Sequence, residues 1–216
     1  MAKVEIKNIN LGGIADSMYQ GAANSVAEMV GLDIHSEAGV IKVNQALTKD
    51  SGAVVDEFCK VGVACSNGST YMFGVAGGVF ERQSDGTWTD HATVAPAAGG
   101  VEVLGAYEYK GYIYYATELR LGRFPIPTAG VAPTLSSNFA TFGIGDATYH
   151  PMKIVNQVLF IGDGYQVAQV DAGTFSANAL DLDTNRRISA LGKYATDLLI
   201  GTYVNSNVIA GEIHRS

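Results

Sequence analysis

Four histidines (His35, His91, His150 and His214), two cysteines (Cys59 and Cys65) and 21 acidic residues are the groups from which this 216-residue chain could build catalysis or a metal centre. A metal site asks for ligands at close, patterned spacing. The histidines instead lie far apart, no two at helical ligand spacing. A ring of repeats could gather one histidine per repeat at its axis, but no carboxylate pattern accompanies them, and they read as surface or loop side chains. Cys59 and Cys65 frame CKVGVAC. In one extended strand they stand about 20 Å apart at roughly 3.3 Å per residue, too far to bridge. Without neighbouring ligands they read as small buried hydrophobes. Asp181, Asp183 and Asn185 set out the alternating oxygens that open a calcium loop. Arg186 then stands where that loop needs a sharp-turn glycine, and Gly192 where it needs a bidentate glutamate, so DLDTNRR reads as an acidic turn.

Glycoside hydrolysis needs two carboxylates roughly 5 to 9.5 Å apart at a pocket, and no acid here is marked out by its context. The chain carries no G-x-S-x-G elbow, no phosphate loop and no dinucleotide fingerprint. The expectation is a protein that is not an enzyme and uses no cofactor or metal. With a net charge of −7 and scattered basic residues, Arg186-Arg187 and the nearby Arg120 and Arg123 included, nucleic acid is not the expected partner. No apolar run approaches the roughly 18 residues of a membrane span, and MAKVEIKNIN lacks the apolar core of a secretory signal, so neither membrane insertion nor export is expected. Tyrosines are the most suggestive surface feature. Tyr107 and Tyr109 share one strand face, and Tyr112 and Tyr114 share another, across one hairpin that also carries Tyr115. Packing explains such pairs at roughly 0.2 to 1 kcal/mol each. A ring with a polar hydroxyl also suits protein and sugar contacts, so these four are the candidate contact surface.

The elements that would position these groups are strands. Glycine, at 26 residues, is enriched and charged residues make up only 16% of the chain, which disfavours helical bundles. Four segments superpose, starting at Val61, Leu104, Met152 and Ile188. Each reads as strand, tight turn, apolar strand ending in a small residue, and third strand. Gly74, Ala116, Gly162 and Gly201 mark the register and recur about every 42 residues, the length of a four-stranded propeller blade. A small residue there is expected where inner strands converge on a propeller axis. Asn67-Gly68, Lys110-Gly111 and Asp163-Gly164 supply positive-φ hairpin turns. Ser84-Asp85-Gly86 and Asp171-Ala172-Gly173 precede outer strands, and Ser84 to Trp88 is similar to a shortened Asp-box turn of sialidase-type propellers. The fourth strand of the second unit is expected near Asn138 to Phe142, after a stretch, Pro125 to Pro133, that cannot be a central strand.

Residues 1–57 differ in texture from the blades over 58–216. Ala22 to Gly31 has the composition of a short helix, and two strands follow around the turn Ser36 to Gly39. Val40 to Leu47 is the candidate closing strand, partnering Val208 to His214. The architecture expected is an all-β propeller of about four units, closed by an N-terminal strand or left partial.

The run from Gly12 to Gly52 resembles the start of propeller-like structural proteins of tailed bacteriophages, and SNGSTYMFG with GGVFERQSDGTW is similar to their first complete blade. That resemblance implies a non-enzymatic virion protein of the tail or another surface assembly. It would be made in the host cytoplasm and engage other virion proteins in several symmetric copies. A lectin-like propeller binding a host-surface glycan is the alternative, with a glycoside hydrolase behind it. No functional residue is carried over from the resemblance.

Overall fold

A computed structural model describes residues 32–33, 42–43, 50–91, 102–145, 147–204 and 207–215. The chain divides into two compact units, residues 1–50 and 51–216. In the first, β1 (Leu32–Asp33) pairs antiparallel with β2 (Lys42–Val43), a register centred on the expected turn at Ser36 to Gly39. The helix expected over 22–31 lies outside the described residues. The closing strand expected over 40–47 lies, apart from Lys42–Val43, outside the described residues as well.

The second unit is all-β. Its first sheet holds β3 (Cys59–Ala64), β4 (Thr70–Gly74), β5 (Val79–Arg82) and β6 (Trp88–Asp90). The second holds β7 (Gly105–Tyr109), β8 (Tyr112–Ala116), β9 (Arg120–Pro125) and β10 (Ser136–Thr141). The third contains β11 (Met152–Val155), β12 (Val158–Asp163), β13 (Gln166–Asp171) and β14 (Thr174–Asp181), and the last contains β15 (Arg186–Tyr194), β16 (Asp197–Val204) and β17 (Asn207–Arg215). Every strand pairs antiparallel with its sequence neighbour, so each sheet is a simple meander. The first strands of successive sheets lie against one another, β3 by β7, β7 by β11 and β11 by β15. That arrangement is a propeller-like repeat.

Alternation of side chains along each strand gives a sheet two faces, and here consecutive sheets bury them in turn. Val61, Val63, Tyr71 and Phe73 of the first sheet pack against Ile113, Tyr115 and Phe124 of the second. Tyr114, Ala116 and Leu121 on the other face of the second sheet meet Leu159, Ile161 and Val170 of the third. Val155 and Val167 of the third then meet Ile188, Leu198 and Ile200 of the last. A fully buried aliphatic or aromatic side chain contributes roughly 1.5 to 3 kcal/mol, so these three interfaces carry the stability of the unit.

Two details of the sequence reading change. Gly74, Ala116, Gly162 and Gly201 sit in the second strand of their sheets, as the spacing expects, but the reason for the small residue is not convergence on an axis. What the small residue accommodates is the chain entering its own sheet: Gly162 donates its N–H to Pro151 O at 2.9 Å, and Leu104 N donates to Ala116 O at 2.7 Å. A Cβ on Gly162 would lie 2.9 Å from Pro151 Cγ and from Ile188 Cγ2. The turn at Asp163-Gly164 is also displaced by one residue. Asp163 pairs with Gln166 as the last residue of β12, and Gly164, at φ 59°, opens the two-residue loop. At Lys110-Gly111 both residues have positive φ, 49° and 78°, as a type I′ hairpin requires.

Candidate functional site

Tyr107 pairs with Tyr114 and Tyr109 with Tyr112, so cross-strand register puts all four tyrosines on one face of the second sheet. They do not stand equally at the surface. Tyr109 and Tyr114 are buried, and Tyr107 and Tyr112 are half-buried against the same core cluster. Tyr109 donates its hydroxyl to Gln157 O at 2.6 Å, joining the second sheet to the third. The Arg123 guanidinium lies 4.8 Å from the Tyr112 ring centre and 4.1 Å from that of Phe139, while its Nη1 donates to Tyr114 Oη at 3.1 Å. These ring faces are engaged by packing and by a cation.

Buried carboxylates that sequence reasoning passed over hold the sheets to their loops. Glu81 in β5 is fully buried and accepts from Ser69 Oγ at 2.7 Å, His91 Nε2 at 3.0 Å and Gly130 N at 3.0 Å. Serine, glutamate and histidine meet here, but the carboxylate stands between the other two. A nucleophilic triad needs the imidazole between hydroxyl and acid, so this cluster is a tie from the first sheet to the loop after β9. Its only hint in the sequence is a lone acid inside the apolar run GVFER. Asp163, also buried, accepts from Ile144 N and Gly145 N at 2.9 and 3.2 Å, and half-buried Glu57 accepts from Ala76 N and Gly78 N at 2.6 and 2.9 Å.

The described histidines stay apart. His91 belongs to the Glu81 tie. His150 is fully buried, stacks on Phe142 with ring centres 4.4 Å apart, and donates from Nδ1 to Gly162 O at 2.8 Å. Its Nε2 is buried with no hydrogen-bond partner, and burial holds the imidazole below its ordinary pKa. His214 Nε2 lies 3.2 Å from Thr202 Oγ1. His35 is outside the described residues, among which no group of three His, Cys, Asp or Glu side chains could hold a metal. Asp181 is occupied by Gln166 and Asn178, and Asp183 accepts from Asn185 N within its turn. Both cysteines are free thiols. Burial, with the charges of Glu108 and Glu81, pushes the Cys65 thiol up to about 12, which keeps it protonated and unreactive at neutral pH.

The last sheet, like the first, packs against another described sheet on one face only. Ile188, Leu198, Ile200 and Thr202 of the last sheet face the third and are buried. On the opposite face Gly201 pairs with Ala190 on one side and Ile213 on the other, and Leu199 with Gly192 and Arg215. Ile213 is 78% exposed and Tyr194 62%. The sheet also stops at three strands, so β17 is an edge among the described strands, whereas each of the other three sheets has a fourth. A separate pocket of about 250 Å³ opens between the third and last sheets, lined by Thr148, Tyr149, Arg187, Ser189 and Tyr203 among others.

No protein-family model and no curated protein matches the chain. Solved structures do resemble it. A chain described as the extracellular domain of a one component system from B. thetaiotaomicron is 14% identical with a TM-score of 0.51, over 72% of this chain and 22% of that one. The computationally designed Ika4 protein is 10% identical with a TM-score of 0.48, over 74% of this chain and 91% of that chain. The WD40 β-propeller domain of Doa1 is 14% identical with a TM-score of 0.41, over 72% and 54% respectively. This chain spans about a fifth of the bacterial extracellular domain, and at such identity the likeness concerns the fold alone.

Proposed function

We propose that the chain is a non-enzymatic structural protein of a tailed-phage virion, a tail or surface-assembly component present in symmetric copies and engaged with other virion proteins. The observation that carries this reading is the last sheet, whose outer face leaves Ile213 and Tyr194 exposed while every sheet interface before it is buried. Exposed Ile213 and Tyr194 beside a strand edge unpaired among the described residues suit an assembly contact. The likeness of residues 12–52 and of the first blade to phage structural proteins supplies the setting. The four sheets are read as blades of a propeller. Buried Glu81, held by Ser69, His91 and Gly130, agrees with a scaffold role. Mass spectrometry of purified particles tests this. The chain should be present, with chemical cross-links from β15–β17 to neighbouring virion proteins, and its absence from particles overturns the proposal.

A second reading, binding of a host-surface glycan, is favoured by the pocket beside Tyr149. A ring 54% exposed stands there with the hydroxyls of Thr148, Ser189 and Tyr203 and the Arg187 guanidinium, the mixture of apolar plane and polar groups that suits a sugar. Glycan-array binding that is lost in Tyr149→Ala supports it, and an array without signal removes it.

A further inference from the structure

The chain carries one Asn-Gly pair, Asn67-Gly68, and two Asp-Gly pairs, Asp85-Gly86 and Asp163-Gly164. In such pairs a backbone nitrogen can reach the side-chain carbonyl before it, because glycine puts no side chain in the way and leaves the backbone free to turn. The structure separates the three. Asp163 is buried, and its two carboxylate oxygens accept from Ile144 N and Gly145 N. Asp85 is exposed, but the Thr87 N–H bound to it at 2.8 Å holds its carboxyl below the usual range, and an ionised carboxylate resists nucleophilic attack. Asn67 is an uncharged amide in the exposed turn Ser66 to Gly68. Its Oδ1 accepts from Ser69 N at 3.0 Å, which polarises the carbonyl and is placed to stabilise an oxyanion there. Its Nδ2 donates to Pro127 O at 3.3 Å, fastening the loop after β9 to the first sheet.

We infer that Asn67 is a site of spontaneous deamidation and that its conversion unfastens this loop from the first sheet. Gly68 N bonds to Asn67 Cγ and loses its proton, Nδ2 leaves as ammonia, and a cyclic imide results. Water then opens the ring at either carbonyl, giving aspartate, or isoaspartate with the backbone rerouted through the side chain. One water is consumed and one ammonia released, and nothing is oxidised or reduced. Gly68 N must first leave Cys65 O, 3.0 Å away, so local opening of the exposed turn sets the rate. The product carboxylate offers Pro127 O no donor. It also adds a negative charge to a turn whose Ser66 N is already bound to Glu108 Oε2 at 2.6 Å. The loop's tie from Gly130 N to Glu81 Oε2 is untouched. This chemistry needs neither a partner nor a ligand.

Peptide mass spectrometry of the full chain, after weeks of incubation at neutral pH, tests the site. The expected result is that the Asn67 peptide gains the mass of an amide-to-acid exchange and labels with an isoaspartate-specific methyltransferase before the Asp85 and Asp163 peptides do. Asn67→Gln, which would have to close a larger ring, should keep its amide over the same period. In the aged chain, and in fresh Asn67→Asp, amide exchange at Ile126, Gly130 and Val131 should quicken roughly two- to tenfold, the effect of losing one hydrogen bond. An Asn67 peptide that stays unchanged in the folded chain, while the same peptide free in solution deamidates, shows that the turn protects the pair and overturns the site. Labelling of Asp85 or Asp163 ahead of Asn67 also overturns it. Exchange at the parent rate in both the aged chain and Asn67→Asp overturns the release of the loop.

Discussion

The second and last sheets are made from the same hairpin repeat, yet one is an interior wall and the other a boundary. In the second sheet, neighbouring residues of β8 go opposite ways into two cores: Tyr115 toward the first sheet and Tyr114 toward the third, each with at most 2% of its surface exposed. In the last sheet the same alternation sends Leu198 and Ile200 into a core, but Leu199 and Ile213 onto a face no other described sheet covers. The repeat therefore fixes the geometry of a sheet, while position in the stack decides how much free energy its side chains return. Mutational cost should track the stack and not the repeat.

The sharpest test is Tyr115→Ala against Ile213→Ala in urea unfolding. The Tyr115 ring lies 5.9 Å from that of Phe73 and 6.0 Å from that of Phe124, and its removal leaves a cavity between two sheets. About 3 to 5 kcal/mol of stability should go. Ile213→Ala should change it by no more than about 0.5 kcal/mol in the monomer. Equal costs would break the distinction between wall and boundary.

Next in size comes the repeat's own register residue. Gly162 and Gly201 occupy equivalent places in β12 and β16. A Cβ on Gly162 meets Pro151 and Ile188 carbons at 2.9 Å, whereas on Gly201 it meets nothing nearer than Ala190 Cβ at 3.5 Å, an ordinary contact. Gly162→Ala should destabilise by about 1 to 3 kcal/mol through overpacking. Gly201→Ala should be neutral or stabilising by up to about 1 kcal/mol, since alanine surrenders less backbone entropy on folding. Thermal melts of the two variants make the comparison, and a loss at Gly201 equal to that at Gly162 would count against it.

These two glycines also show where sequence reading stops. Spacing revealed that a small residue recurs, and turn chemistry placed the sheets, the outer strand over Ser136–Thr141 included. At Gly162 the reason for the small residue lies in the path of the chain entering its sheet, a contact with no local signature. Glu81 was hidden for the same reason: its donor Gly130 is 49 residues distant and is delivered by the fold. The four tyrosines were legible as a cluster, but only the pairing of Tyr107 with Tyr114 shows that they share a face. The hairpin at Asn156-Gln157, at φ 48° and 66°, has the backbone of an Asn-Gly turn without the glycine that would announce it.

A smaller, pH-dependent effect separates the walls from the boundary again. His150, packed at the head of the third sheet, is held below its ordinary pKa chiefly by desolvation. The unfolded chain therefore binds the proton more readily, and stability rises with pH. The stabilising preference for the neutral ring is fully present above the unfolded value near about 6.5 and is lost as pH falls below it, at up to roughly 1.4 kcal/mol per pH unit for this one group. Urea midpoints measured between neutral and mildly acid pH should fall, and His150→Gln should flatten that slope while lowering stability at neutral pH. A slope identical in the variant would assign the acid loss to other groups.

The smallest effect should come from the turn at the head of the boundary sheet. Ala195, between β15 and β16, has φ 52°, a left-handed conformation that an alanine adopts at a cost of roughly 1 to 2 kcal/mol. Glycine relieves that strain but loses more entropy on folding, so Ala195→Gly should stabilise by less than about 1 kcal/mol. The gain should appear in thermal melts of the variant. A lower melting temperature in Ala195→Gly would show that the left-handed turn costs this hairpin less than the extra backbone freedom of glycine.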